Sequence, residues 1–214
     1  MLFISQMTYA ETHVVNVYAY TGEIPDYLIR QFEKETGIKV NFSTYENNEI
    51  MYAKIRANKR SGYDIIMPSS YFVDRMSRQH LLLKLDQTKL PNKKYIAPQF
   101  LHPSYDRNGE YSIPFIWGIT GIFYNAQIHK EKIMGWNDLW NKRYYNKLML
   151  LDDTREVFSM TLLSLGYSPN DANPTHIKEA YEKLKTLMPN VKVFTTDTVV
   201  SILIDEDGTV GMAW

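Results

Sequence analysis

Polar and apolar positions in the amino-terminal half alternate between two periods. "VVNVYAY" (14–20) is a short β-rich run, followed by the turn-forming "TGEIPD". "PDYLIRQFEKETG" (25–37) changes to the helical period. Leu28, Ile29 and Phe32 make an apolar stripe, Pro25 and Asp26 suit the first turn, and Gly37 suits the stop. "IKVNFSTY" (38–45) then predicts a strand and "ENNEIMYAKIRANKRSG" (46–62) a helix. "YDIIMPSS" (63–70) predicts a buried strand running into "YFVDRMSRQHLLLKL". Strand–helix–strand–helix–strand at this pace predicts an α/β fold with a parallel sheet and right-handed crossovers.

The pattern changes further on. Residues 88–112 are rich in Pro, Asn, Asp and Lys and predict irregular structure. "YSIPFIWGITGIFYN" (111–125) then carries two apolar runs around Trp117-Gly118. "WNDLWN", the apolar run 148–151, a helix opening at 153–156 and "PTHIKEAYEKLKTLM" (174–188) make a second α/β section. Two lobes are therefore expected, 11–117 and 118–214, joined by an extended crossover. "GTVGMAW" (208–214) reads as a strand with no closing polar tail, so an incomplete chain is expected. Residues 1–10 resemble the end of a signal peptide: a short apolar stretch, then Thr8 and Ala10 at the small-residue positions of a cleavage site.

Composition narrows the function classes. The chain is 44% hydrophobic and 22% charged, an ordinary globular balance, and its formal net charge is zero. That gives no electrostatic footprint for nucleic acid. No apolar run approaches the roughly 20 residues of a membrane-spanning helix. The absence of Cys excludes disulfides, thiolate catalysis and Cys-ligated metals. The five histidines are scattered, without an i,i+4 pair, and no phosphate loop, dinucleotide fingerprint or serine elbow is present. The 16 tyrosines can fill core, and they also suit a site lined with flat amphipathic rings.

The chemical candidates cluster after strands. In "LDDTREVFSM" (151–160), Asp153 and Glu156 have the spacing of a helix capping box, which fully accounts for one acid and a reciprocal second. The same turn follows an apolar run, and open α/β sheets bind ligands beyond the carboxyl ends of their strands. Asp152, Asp153 and Glu156 exceed what a single cap requires. "MPSSYFVD" offers Ser69 and Tyr71 in the same relation to strand three, where Ser69 or Ser70 could equally be a helix cap and Tyr71 simple packing. "YAYTGE" offers Tyr20, Thr21 and Glu23 after strand one, Glu23 being equally an ordinary exposed carboxylate. Together these groups favour a cation with apolar stems: rings attract ammonium and pack methylenes, and carboxylates fix the amines.

The blocks "FEKETGIKVNFSTYENNEIMYAKI", "YDIIMPSSYFVDRM", "YSIPFIWGITGI", "DDTREVFSMTLLSLGYS" and "AYEKLKTLMPNV" closely resemble the spermidine/putrescine-binding periplasmic proteins of ABC importers. The likeness runs from about Val15 to Trp214. It implies the type II periplasmic-binding-protein fold, two lobes with mainly parallel sheets that clamp a polyamine, here incomplete because family members are about half as long again. It implies ligand-binding roles for Tyr20, Thr21, Ser69, Tyr71, Asp153, Glu156 and Trp214. Tyr20 stands where the family often has Trp. Glu23 stands where the spermidine-type family usually has Tyr, and an added acid there suits a more highly charged ligand.

The resemblance further implies a periplasmic, non-enzymatic protein with no cofactor and no metal. Its partners would be spermidine or putrescine and the permease of an ABC importer, without stable membrane insertion and without nucleic acid. Three alternatives remain open on sequence: a fragment that no longer binds, a same-fold binder of another solute, and a carbohydrate-active enzyme. A glycosidase needs two carboxylates about 5–9.5 Å apart across a sugar, which one short turn does not fix.

Overall fold

In the computed structural model, which describes residues 13–58, 62–205 and 207–214, β1 (Val14–Tyr20) is the central strand of a three-stranded sheet. It pairs in parallel with β2 (Lys39–Tyr45) from Val14↔Lys39 to Tyr20↔Tyr45, and with β3 (Ile65–Ile66) at Val17↔Ile65 and Tyr18↔Ile66. The crossovers are α1 (Asp26–Thr36) and α2 (Asn48–Ala57), and α3 (Ser70–Arg78) follows β3. The 1–10 segment lies outside the described residues. Contacts divide the chain into two compact units, Met1–Ser112 and Ile113–Trp214.

Local chemistry sets the boundaries. Gly37, at φ +72°, closes α1 through its N–H to the Glu33 carbonyl, as the sequence suggests. α2 starts later than its predicted range because Asn47 is the cap, its Oδ1 accepting from the Ile50 N–H at 2.9 Å. β3 is shorter than 63–70. Pro68 has no N–H, and that of Ser69 is taken by the Asn48 side chain, so the ladder stops. α3 ends well before Leu85. His80, at φ +56°, closes a Schellman turn in which the Leu81 N–H bonds to Met76 O and that of His80 to Ser77 O.

The core of the first unit is largely tyrosine. Tyr18, Tyr20, Tyr45 and Tyr52 are buried with Met51, Ile55, Phe72 and Met76. Tyr18 stacks on Tyr63 with centroids 4.5 Å apart, and Tyr45 donates its hydroxyl to Met67 O at 2.6 Å.

The second unit holds a four-stranded sheet in the order β4 (Gly121–Tyr124), β7 (Val210–Ala213), β5 (Leu148–Leu150), β6 (Val191–Phe194). β5 runs parallel to β6 and β7, whereas β4 is antiparallel to β7. Its helices are α4 (Thr154–Ser164), α5 (Pro174–Leu187) and the short α6 (Val199–Ile204). "WNDLW" is a 3-10 turn. Its three-residue period turns Leu139 fully into the core, with Trp136 and Trp140 packed around it. Only 121–124 of the apolar stretch 111–125 forms a strand; Phe115, Ile116, Trp117 and Ile119 are exposed.

Candidate functional site

The parallel strands of each unit bring its candidate residues to one edge. In the first unit, Tyr20 ends β1, Thr21 follows it, and Ser69 and Tyr71 come just after β3. Asn48, at the start of α2 and fully buried, joins three of them. Its Nδ2 donates to the hydroxyls of Tyr20 (2.6 Å), Ser69 (2.9 Å) and Tyr71 (3.0 Å), and its Oδ1 accepts from the Ser69 N–H at 3.0 Å. Ser69 occupies the N-cap position of α3, but its hydroxyl bonds no helix N–H. Tyr20 is 5% exposed and lies 4.5 Å from the Tyr45 ring centroid.

Thr21 is exposed, and its N–H reaches Tyr45 O at 3.3 Å. Glu23 is half-buried in the turn that follows. Burial pushes its carboxyl up, partly opposed by a backbone hydrogen bond at Tyr20. The Tyr45 phenol is raised strongly, first by burial and then by Tyr20, Glu23 and Tyr18 around it.

In the second unit, α4 begins immediately after β5. Asp153 is its N-cap: Oδ1 accepts from the Glu156 N–H at 3.1 Å, and the residue is 4% exposed. Glu156 Oε2 accepts from the Thr120 hydroxyl at 2.7 Å. The two acids therefore face different hollows on either flank of the helix start. One, of about 210 Å³, is lined by Asp152, Asp153, Phe158, Leu184 and Phe194. The other, of about 270 Å³, is lined by Thr120, Trp136, Glu156, Met160 and Asn170. Arg155 donates to Asn170 Oδ1 at 2.5 Å.

Trp214 lies at the same end of this sheet. It follows β7, whose neighbour β5 is parallel, and the register Gly121↔Ala213 sets Thr120 near it at the start of β4. Trp214 is 53% exposed. The positive end of the α4 dipole favours negative charge here, so the acids cost little to hold in place. Carboxylates beside exposed or half-exposed rings can take an ammonium group and its methylenes together. Among the described residues, no group of three or more His, Cys, Asp or Glu could hold a metal ion, and no helix is long and apolar enough to cross a membrane.

Three residues at these edges escaped the sequence reading. Asn48 had a signal, since "NN" places a second amide beside the one that caps α2. Thr120 had none, as a lone hydroxyl in an apolar run. Thr196, just past β6, has a buried hydroxyl without a hydrogen-bond partner among the described residues.

Two strand-end clusters on α/β sheets of this order define a type II periplasmic-binding-protein fold. The family model for bacterial extracellular solute-binding proteins matches residues 27–214, and the chain belongs to that family. It is 46% identical over 198 residues to the spermidine/putrescine-binding periplasmic protein of Salmonella typhimurium, covering 92% of this chain and 57% of that one. The Haemophilus influenzae spermidine/putrescine-binding periplasmic protein 1 is 43% identical over 98% of this chain and 59% of its own length. Among solved structures, the spermidine/putrescine ABC transporter substrate-binding protein PotD of Streptococcus pneumoniae superposes with a TM-score of 0.72 at 37% identity, over 94% of this chain and 62% of that one. The chain thus spans less than two thirds of these relatives.

Proposed function

We propose that the protein captures a polyamine of the spermidine/putrescine class outside the cytoplasm and passes it to the permease of an ABC importer. The two compact units are read as its two lobes. It binds without chemical change, as a transport component and not an enzyme, and needs no cofactor. One observation carries this reading: two carboxylates, the Thr120 hydroxyl and the exposed Trp214 ring share one sheet edge in the second unit. The printed names of the relatives support it. Asp153 and Glu156 hold ammonium groups, and Trp214 covers methylenes. In the first unit, Tyr20, Thr21, Glu23, Ser69 and Tyr71 are assigned to the ligand as well.

Calorimetric titration of the chain with putrescine, spermidine and spermine tests this. Saturable uptake is expected. Glu156→Gln should weaken it about tenfold or more, the scale of a lost charge-assisted hydrogen bond. Uptake that is absent, or untouched by Glu156→Gln, would sink the reading.

A further inference from the structure

The hydroxyls of Tyr20, Ser69 and Tyr71 come from two separate segments of chain, yet they meet at one nitrogen. We propose that Asn48 is the positioning residue of the first unit, fixing which way these hydroxyls face and locking them as one group. This rests on the polyamine reading for what the hydroxyls meet, but the network itself does not.

The amide orientation is determined by its own contacts. The Ser69 N–H donates to Oδ1 at 3.0 Å, so the opposite end, Nδ2, must face the hydroxyls. An amide nitrogen has two protons and accepts none. Three oxygens lie within 3.0 Å of it, so the two protons are shared among them. No hydroxyl can point its own proton back at Nδ2. Each hydroxyl that accepts from Asn48 therefore has one lone pair committed inward, and its proton and remaining lone pair are directed elsewhere. An ammonium group meeting these hydroxyls needs that remaining lone pair to be correctly aimed. Asn48 is fully buried, so solvent cannot substitute for it. Removing a buried donor leaves the oxygens around it unsatisfied and able to rotate.

The helix context excludes capping as the reason for this side chain. Asn47 supplies the cap of α2 through its own Oδ1. Asn48 occupies the first helical position, and its polar atoms turn back to the ends of β1 and β3.

A double-mutant cycle reads the proposal. Spermidine affinity is measured for the unmodified chain, Asn48→Ala, Tyr71→Phe and the double variant. Asn48→Ala is expected to weaken binding about tenfold, and the double variant should be no weaker than about the worse single one, because both remove the same contact. Fold-losses that multiply independently would overturn the positioning role. A second measurement covers the case in which Asn48→Ala does not fold or the chain takes up no spermidine. In the ¹⁵N spectrum of the unmodified chain, the Asn48 side-chain amide protons should exchange slowly with solvent and shift in both Tyr71→Phe and Ser69→Ala. Protons that exchange at the rate of an exposed amide, or that ignore both variants, overturn the proposal. Absent uptake with protected protons overturns the polyamine reading alone.

Discussion

The strand-end edges of the two sheets obey the same topological rule with opposite chemistry. In the first unit the polar groups are hydroxyls gathered on a buried amide. In the second they are carboxylates at a helix start, one used as a cap and the other held by a threonine. Neutral hydroxyls can be buried at modest cost once their hydrogen bonds are made, which suits a rigid scaffold of rings. Charged groups need either solvent or a partner, and the helix dipole and the adjoining hollows provide for them. The difference shows that site chemistry is decided by the residue after each strand, and not by the sheet.

The largest expected effect comes from breaking the acidic edge at its base. A Cβ on Gly211 would stand 2.5 Å from the Met149 carbonyl oxygen and 2.7 Å from the Phe123 ring. Backbone and ring cannot both yield, so Gly211→Ala should destabilise the second unit by about 3 kcal/mol or more. Urea unfolding checks this, and an unmoved midpoint would mean that β7 does not hold its interior place.

A smaller effect separates the two uses of Asp153. Asn caps a helix as well as Asp does. Asp153→Asn should therefore leave the melting temperature nearly unchanged while weakening spermidine about tenfold. Asp153→Ala should lose a further ~1 kcal/mol of stability. Equal stability in the two variants would remove the cap from the comparison.

The smallest effect is in pH dependence, where the units should differ. In the second unit, His129 meets Thr209 Oγ1 at 2.7 Å, and burial, Lys147 and Arg143 hold its imidazole below the usual range. Its unfolded form therefore binds a proton first. The stability it confers is complete above about pH 6.5 and is lost as pH falls through the window below that value. In the first unit, burial raises the Asp106 carboxyl, but hydrogen bonds from Tyr111, Ser112 and Glu110 outweigh it and leave it below the usual range. Its contribution persists above about pH 4 and is lost only in stronger acid. Unfolding midpoints at pH 7.5 and 5.5 in His129→Asn should differ less than in the unmodified chain. An unchanged difference would assign the effect elsewhere.

Much of this was legible in the sequence where one signal acted alone. β1 is the whole of "VVNVYAY", and α1 ends at the glycine that the pattern marks. Failures came where a side chain distant in sequence competed with the local pattern. β3 was over-extended because Asn48, many residues earlier, takes the Ser69 N–H. The apolar residues Phe115, Ile116, Trp117 and Ile119 before Gly121 are exposed, because burial depends on what covers a segment and not on its own composition. "LDDTREVFSM" illustrates both limits. Its spacing correctly marks Asp153 as a cap, but only the fold brings Thr120 to Glu156.

The place of β7 has a consequence for the order of folding. It follows β5, β6 and three helices in the chain, yet it lies between β4 and β5 in the sheet. In the first sheet a single helix separates β1 from β2, and two helices and β2 separate β1 from β3, so its loops close early and cheaply. The second cannot gain its middle strand until the chain has returned from a long excursion. Until then β4 and β5 present unpaired edges, and the acid-bearing half is the one exposed to misassociation while it waits.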